Sequence, residues 1–496
     1  MTRPTRPVAI AAGVIAVVLV AVVVEVLRVH GGVAGTELAS SWQLLDLDVL
    51  EANPFGGVWD LHTQPPVHNL VIGLIAWSPL PLAGTVFALY VASLAVMAGL
   101  LVDLLVRWRV PLVAATVVTC LAVADPSLLS TIRIASYEIP LAALVVGFVW
   151  TLDRYLTTPS ARWLAILVGI GIALVMTRAL FHPLWLAIVL AVVLLARRPP
   201  RRQVLAAVAV PLLVLGGWTA KNAVLVDSAS LSSWTGFNLQ RGVVGPMPET
   251  AVDEAIAAGD GSELAAVPPW QSLDVYAPWV GTCRPGSSAP ALANPTKTVG
   301  AVEIANFNDE CYLPLYRTAR HDALTMIRRE PGRYLADRVV ALAISHDYTP
   351  LGHDGGGTSF LGEALPSTSW MDRLYSVLMV RLGIDVDASG WNASIFGDTL
   401  HLHLALPLLL ATSIVLGRAI LAAVRCWRGR AQPDRREVLW LVSGITVAFV
   451  IVGGDLVELG ENSRFRSMLD PLLFGLVAVA VTDTVRWWRA RGVTAQ

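Results

Sequence analysis

The stretch from Trp42 to Leu70, WQLLDLDVLEANPFGGVWDLHTQPPVHNL, holds the densest set of reactive side chains near the start of the chain. Asp46 and Asp48 come first, and His62, Gln64, Pro65 and Pro66 follow. Carboxylates this close to an apolar run are costly unless they bind or react with something. Partial shielding raises a carboxyl pKa and suits the group to take a proton from a hydroxyl. Asp46 and Asp48 are therefore the candidates for the catalytic base; two positions apart, they would point to different faces on a helix, so one is expected to face the site while the other caps, solvates or binds a metal. His62 is expected to touch a phosphate or a metal, and Gln64 to support a substrate. The Pro65–Pro66 pair fixes an extended entry into the next helix.

A second set of residues suits a phosphate at headgroup depth. Arg178, Arg464 and Arg466 fall in short loops on the same expected side as Asp46, and Lys221 follows an apolar span. Arginine grips phosphate through two parallel hydrogen bonds, and lysine acts as a point charge. Glu138, Asp125 and Asn222 are expected to support substrate or metal from neighbouring loops. A divalent metal is compatible with this set, but nothing in the sequence requires one.

The elements that must hold these residues are set by hydropathy. The chain has 496 residues, 55% hydrophobic and 15% charged, with mean hydropathy +0.63 and net charge −1. Soluble proteins carry about 25% charge. The composition therefore predicts an all-α polytopic membrane protein and gives no sign of nucleic-acid binding. Apolar runs predict about ten transmembrane helices, at 8–27, 84–106, 110–124, 139–152, 163–176, 183–196, 204–218, 404–424, 438–452 and 469–485. Arg3, Arg6 and most other arginines fall on one side in that scheme, which puts both termini in the cytoplasm. The first run is read as an uncleaved helix, and 67–81 as a juxtamembrane helix lying in the interface. Three regions follow: an N-terminal module, 1–218, whose first outer loop is 29–83; an extracytoplasmic region, 219–400; and C-terminal helices, 401–496. Cys283 and Cys311 share the long polar region and either pair or stay as separate thiols. His401 and His403 open the eighth span and give little support for a metal site.

Four segments resemble the GT-C glycosyltransferases. The run LHTQPPVHNL after the acidic loop is similar to their (H)xPPL(Y/F) pattern. GWTAKNAVLV…LSSWTGFNLQRG, from Gly217 to Gly242, resembles a stretch of the bacterial PMT/ArnT-like and RgtA-like enzymes. IRREPGRYLADRV, from Ile327 to Val339, and GENSRFRSMLDPLL, from Gly460 to Leu473, resemble two later runs, in the same order. The resemblance implies a multi-pass plasma-membrane enzyme with an extracytoplasmic active site. It would move a monosaccharide, with inversion, from a polyprenyl-phosphate donor to a glycan, lipid or protein acceptor. The family's base maps to Asp46, with Asp48 second. Two rival readings are a polyprenyl-linked glycan ligase and a non-catalytic lipid or sugar transporter or flippase; the near absence of charge within the later spans weighs against the second.

Overall fold

The computed structural model describes residues 6–281, 283–348, 369–387, 399–428 and 433–493. Arg3 lies outside them, and the side chain of His401 is not described. All ten apolar runs form helices, numbered α1 to α10; the short helices between them go by their residues. They are α1 (Arg6–His30), α2 (Leu82–Arg107), α3 (Leu112–Val123), α4 (Glu138–Thr157), α5 (Ala161–Thr177), α6 (Pro183–Arg197), α7 (Arg201–Val226), α8 (Leu406–Arg428), α9 (Arg435–Val457) and α10 (Asp470–Val493). The protein is an all-α polytopic membrane protein. Among the described residues, seven helical stretches are long and apolar enough to cross a membrane, fewer than the ten expected. Helices α5 and α6 have 17 and 15 residues. At about 1.5 Å per residue they fall short of a hydrocarbon core of about 30 Å. α10 is long, but Asp483 and its terminal arginines interrupt its apolar run.

Local chemistry explains where the helices begin and end. Proline at the first turn starts α6, and the His182 ring accepts the Leu184 N–H there at 3.2 Å. A reciprocal capping box of Asp434 and Glu437 starts α9. α7 runs past its expected end at 218, because no breaker intervenes before Asp227, which adopts a left-handed conformation. Thr219, Lys221 and Asn222 thus lie inside the helix and not in a loop. The eighth span starts two residues late, since Thr399–Ala405 is a strand. The helix expected over 67–81 is Pro66–Trp77, 12 residues long and too short to cross.

The bundle buries one continuous apolar core, with α2 against α4, α4 against α5 and α8 against α9. Gly444 allows the last of these contacts, for a Cβ there would collide with Ala419. Between α7 and α8 the chain builds a smaller aromatic core from Trp234, Phe237, Tyr276, Phe307, Tyr312 and Tyr316. Cys283 and Cys311 are joined as a disulfide across this region, which settles the open pairing. Two antiparallel hairpins complete it: β1 (Thr296–Val299) pairs with β2 (Val302–Ala305), Thr296 opposite Ala305; β3 (Arg381–Asp387) pairs with β4 (Thr399–Ala405), Arg381 opposite Ala405.

The polar contacts separate the two ends of the bundle. At one end Asp153 of α4 receives Arg107 of α2 and Arg435 of α9, and Arg486 of α10 donates to the Arg109 carbonyl at 2.6 Å. At the other end Glu138, Arg178 and Arg464 meet.

Candidate active site

Glu138 opens α4 and is fully buried. Its Oε1 accepts Arg178 Nη1 at 2.5 Å and Arg464 Nε at 2.8 Å. Arg464 also reaches Glu461 at 3.1 Å. Arg241 binds Glu458 at 2.6 Å and approaches Glu461 at 3.7 Å. Three arginines and three glutamates thus alternate across four chain segments. Removing so many charges from water is tolerable only because each meets its opposite. Arg178 also lies over the rings of Phe465, 4.1 Å away, and Tyr137, 5.0 Å away. Arg464 Nη2 and Glu138 Oε2 are buried with no hydrogen-bond partner among the described residues. Each could accept or donate to a ligand without giving up a protein contact.

Two adjoining cavities open on this lattice and share Trp42, Gln43 and Glu461. The first, about 400 Å³, is lined on its polar side by Gln64, Arg178, Arg241 and Glu458, and on its apolar side by Leu180, Phe449 and Leu456. The second, about 420 Å³, is more polar, with Glu37, Ser40, Arg133 and Arg464. Trp42, Trp234 and Trp270 form an aromatic wall, with Trp234 and Trp270 centroids 4.6 Å apart and Trp42 and Trp270 6.0 Å apart. Trp270 is held at φ +68°, a conformation unusual for a large side chain. Its indole nitrogen is buried without a partner among the described residues. Backbone strain at an aromatic that lines a cavity is the pattern of a functional position.

Several elements place these side chains. A π-helical turn at Gln240–Val244 carries Arg241, a distortion frequent at functional sites. Gly242 in that turn lies against the backbone of Val457 and Glu458, which brings Arg241 onto Glu458. The helix Pro331–Ser345 then staples the end of α9. Tyr334 donates to the Leu456 carbonyl at 2.8 Å, and Arg338 donates to the Asp455 carbonyl at 2.6 Å and to that of Gly242. Two of the segments singled out in the sequence, 217–242 and 327–339, thus meet at the site, and the fourth supplies Glu461 and Arg464.

The two cavity glutamates are tuned in opposite directions. Burial raises the Glu458 carboxyl to about 6, against the pull of Arg241. Glu461 is also pushed up by burial, but Arg464 and Arg241 outweigh that and hold it below the usual range. Paired carboxylates with opposed pKa values divide into a proton acceptor near neutrality and a fixed charge.

The expected site residues divide sharply. Arg178, Arg464, Glu138 and Gln64 belong to this end, as placed by the lattice and the cavity linings. Asp46 and Asp48 line neither cavity. Asp46 Oδ1 accepts the Asp48 N–H at 3.0 Å and caps the helix Leu47–Ala52, with Asp48 exposed in its first turn. His62 does not face a phosphate. It is fully buried, with Nδ1 2.7 Å from Ser233 Oγ and Nε2 2.9 Å from the Asn308 carbonyl. That carbonyl only accepts, so Nε2 carries the proton. Burial depresses the ring pKa to about 3, leaving a neutral fastener between three loops. Lys221 is likewise committed. Its ammonium donates to the Trp59 and Leu61 carbonyls at 2.9 and 2.6 Å and packs over Trp218. Asn222 donates to the Ser230 carbonyl at 2.8 Å and fixes the loop after α7.

Arg466 and Arg464 were expected to act together, but residues two apart on a helix diverge. Arg466 is fully buried, pairs with Asp470 at 2.5 Å and donates to the Ser345 carbonyl at 2.6 Å. Asp125 sits beside that pair and caps Pro126–Leu129. Glu138 does not use Arg133, which approaches Glu37 at 3.9 Å. Arg241 was missed, although it stood in the quoted 217–242 segment as a lone arginine in a loop of few charges. Glu458 lies just outside the 460–473 segment and carries no motif of its own. Among the described residues no three His, Cys, Asp or Glu side chains gather as metal ligands.

The structure is that of a polytopic membrane protein with a charged, aromatic-walled hollow at one end of its bundle. Residues 62–255 match the model of Glycosyltransferase family 87, a stretch that includes Glu138, Arg178 and Arg241 and spans under half the chain. The match supports glycosyltransferase activity in general. The family it names is 87, not one of the PMT/ArnT-like or RgtA-like subfamilies that the motifs resemble. No curated protein matches the chain. No solved structure matches it either.

Proposed function

We propose that the chain is a GT-C-type glycosyltransferase of the plasma membrane, moving a monosaccharide from a polyprenyl-phosphate donor to a hydroxyl acceptor with inversion. The arginine-rich end, with both termini, faces the cytoplasm, and the cavities open on the extracytoplasmic side. We divide the chain into 1–218, 219–400 and 401–496: the two helical modules supply Glu138, Arg178, Glu458, Glu461 and Arg464, and the middle region supplies Arg241. The observation that carries the reading is the first cavity. It joins guanidiniums, Arg178 and Arg241, to an apolar flank of Leu180, Phe449 and Leu456. That combination suits a phosphate whose lipid tail stays in the bilayer. The polar second cavity suits an acceptor glycan, lipid headgroup or protein segment.

In the reaction, the acceptor oxygen forms a bond to the anomeric carbon while the bond from that carbon to the phosphate oxygen breaks. Glu458 takes the acceptor proton, and the polyprenyl phosphate leaves as an anion. Arg178 and Arg241 stabilise the charge gathering on it, in a site already polarised before the substrate arrives. Glu138 keeps both Arg178 and Arg464 in place. Trp42 and Trp270 offer faces for the sugar ring. Asp46 acts on the loop and not on the proton.

The test is incubation of the purified protein with radiolabelled polyprenyl-phosphate monosaccharides and a panel of hydroxyl acceptors. Label transferred to an acceptor, with release of polyprenyl phosphate, is the expected result. Label that only crosses the bilayer, or stays on its lipid with every acceptor, overturns the proposal.

A further inference from the structure

The arginine-rich end holds a larger cavity, about 910 Å³, far from the site above. Seven arginines line it: Arg107 and Arg109 from the end of α2, Arg418 and Arg425 from α8, Arg435 and Arg436 from α9, and Arg486 from α10. Only two aspartates, Asp434 and Asp483, line it with them. Arginines flanking spans are expected on the cytoplasmic side for topology alone. Topology does not require them to converge on one hollow.

The ion pairs leave a surplus. Arg107 and Arg435 share the single buried carboxylate of Asp153, and Arg436 pairs with Asp483 at 2.8 Å. Among the described residues, no carboxylate pairs with Arg109, Arg418, Arg425 or Arg486. The hollow is also built: Arg109 is held at φ +66°, and its carbonyl is gripped by Arg486. Trp108 and Trp487 join the lining, and Trp427 and Trp488 stand exposed nearby in sequence, as residues at headgroup depth do. Ile420 and Leu421, between Arg418 and Arg425 on α8, expose apolar surface beside the cations.

We propose that this cavity binds the headgroup of an anionic phospholipid from the cytoplasmic leaflet. The phosphate would be held by Arg418, Arg425 and Arg109, and the acyl chains would run along the apolar face of α8. Basic pockets between transmembrane helices on that side are suited to such headgroups. The exposed apolar residues beside the arginines favour a lipid over a soluble polyanion. The bound lipid would tie α2, α8, α9 and α10 together at the end opposite the glycosyl-transfer site. The proposal stands independently of which sugar or acceptor that site uses.

The test is native mass spectrometry of the full-length protein in neutral detergent, titrated with phosphatidylglycerol, phosphatidylcholine or inorganic pyrophosphate. Phosphatidylglycerol is expected to be retained in preference to the other two. The double variant Arg418→Gln/Arg425→Gln removes two cations with no carboxylate partner and should bind it about thirty-fold more weakly. Its thermal midpoint without lipid should match that of the parent. Arg109→Gln provides a second, separate variant and should shift binding in the same direction. Equal retention of phosphatidylcholine overturns the proposal. So does tighter binding of pyrophosphate than of lipid, or undiminished binding by both variants.

Discussion

Replacing Glu458 by Gln tests the assignment of the base most directly. The residue is 2% exposed, and burial raises its carboxyl from 4.5 to about 6. A shift of that size corresponds to about 2 kcal/mol against the ionised form. The sign follows: protonation of this group favours the fold fully below about pH 4.5, and the advantage is lost as pH rises through about 6. Catalysis needs the opposite form, since only the carboxylate accepts a proton. Transfer by the parent enzyme should therefore fall about tenfold per pH unit below about 6 and level off above it. Glu458→Gln keeps the size and an acceptor oxygen for Arg241 but cannot take the proton. Transfer should drop by about 10²–10⁴-fold, and the acid limb should vanish from whatever activity remains. Asp46→Asn should lose less than about 1 kcal/mol of stability through a weaker cap and keep most of its activity. The assay is initial-rate transfer of labelled sugar across pH 4.5–8.5, on protein checked for folding by thermal melt. If Glu458→Gln transfers at the parent rate while Asp46→Asn is dead, the base is Asp46 and the reasoning from cavity lining fails.

Three further outcomes follow from the same geometry. Glu138→Gln leaves Arg178 and Arg464 buried without their shared partner, so stability should fall by about 3–5 kcal/mol, read as a lower unfolding midpoint in detergent; an unchanged midpoint would show that the lattice is more open to solvent than its burial indicates. Trp270→Ala removes one face of the aromatic wall and should raise KM up to about tenfold, from about 0.5–1.5 kcal/mol of lost ring contact, with a smaller effect on kcat; a collapse of kcat at constant KM would refute a binding role. Cys283→Ser opens a loop of 28 residues and should destabilise the middle region by about 3–4 kcal/mol; limited proteolysis should then cut within 280–310 first, and equal resistance to the parent would count against it.

The ten apolar runs were legible in the sequence because hydropathy and helix period are local properties. A run of valine and leucine must leave water whatever its neighbours do, and arginines at the ends report which side they face. That Glu138, Arg178 and Arg464 share one end was legible for the same reason. So was the short helix Pro66–Trp77, announced by Pro65 and Pro66. Helix ends were less so: nothing before Asp227 stops α7, and an apolar threshold placed the break eight residues early.

Partnership was not legible. Arg464 and Arg466 look equivalent in sequence, yet the first joins the cavity lattice and the second is sealed against Asp470. Lys221 and His62 had the right chemistry for a substrate, but their polar atoms are taken up by carbonyls and a hydroxyl of other loops, and Asn222 spends its amide N–H on the Ser230 carbonyl. Asp46 was the conspicuous acid of the first loop, and its oxygen caps a short helix. Which group is left facing an open cavity depends on contacts between residues hundreds of positions apart, such as Glu138 with Arg464. Sequence set the supply of charges and the end of the bundle where they stand. The tertiary structure decided which of them neutralise one another and which remain for a ligand, because pairing energy depends on distance and burial, and neither is a local property of the chain.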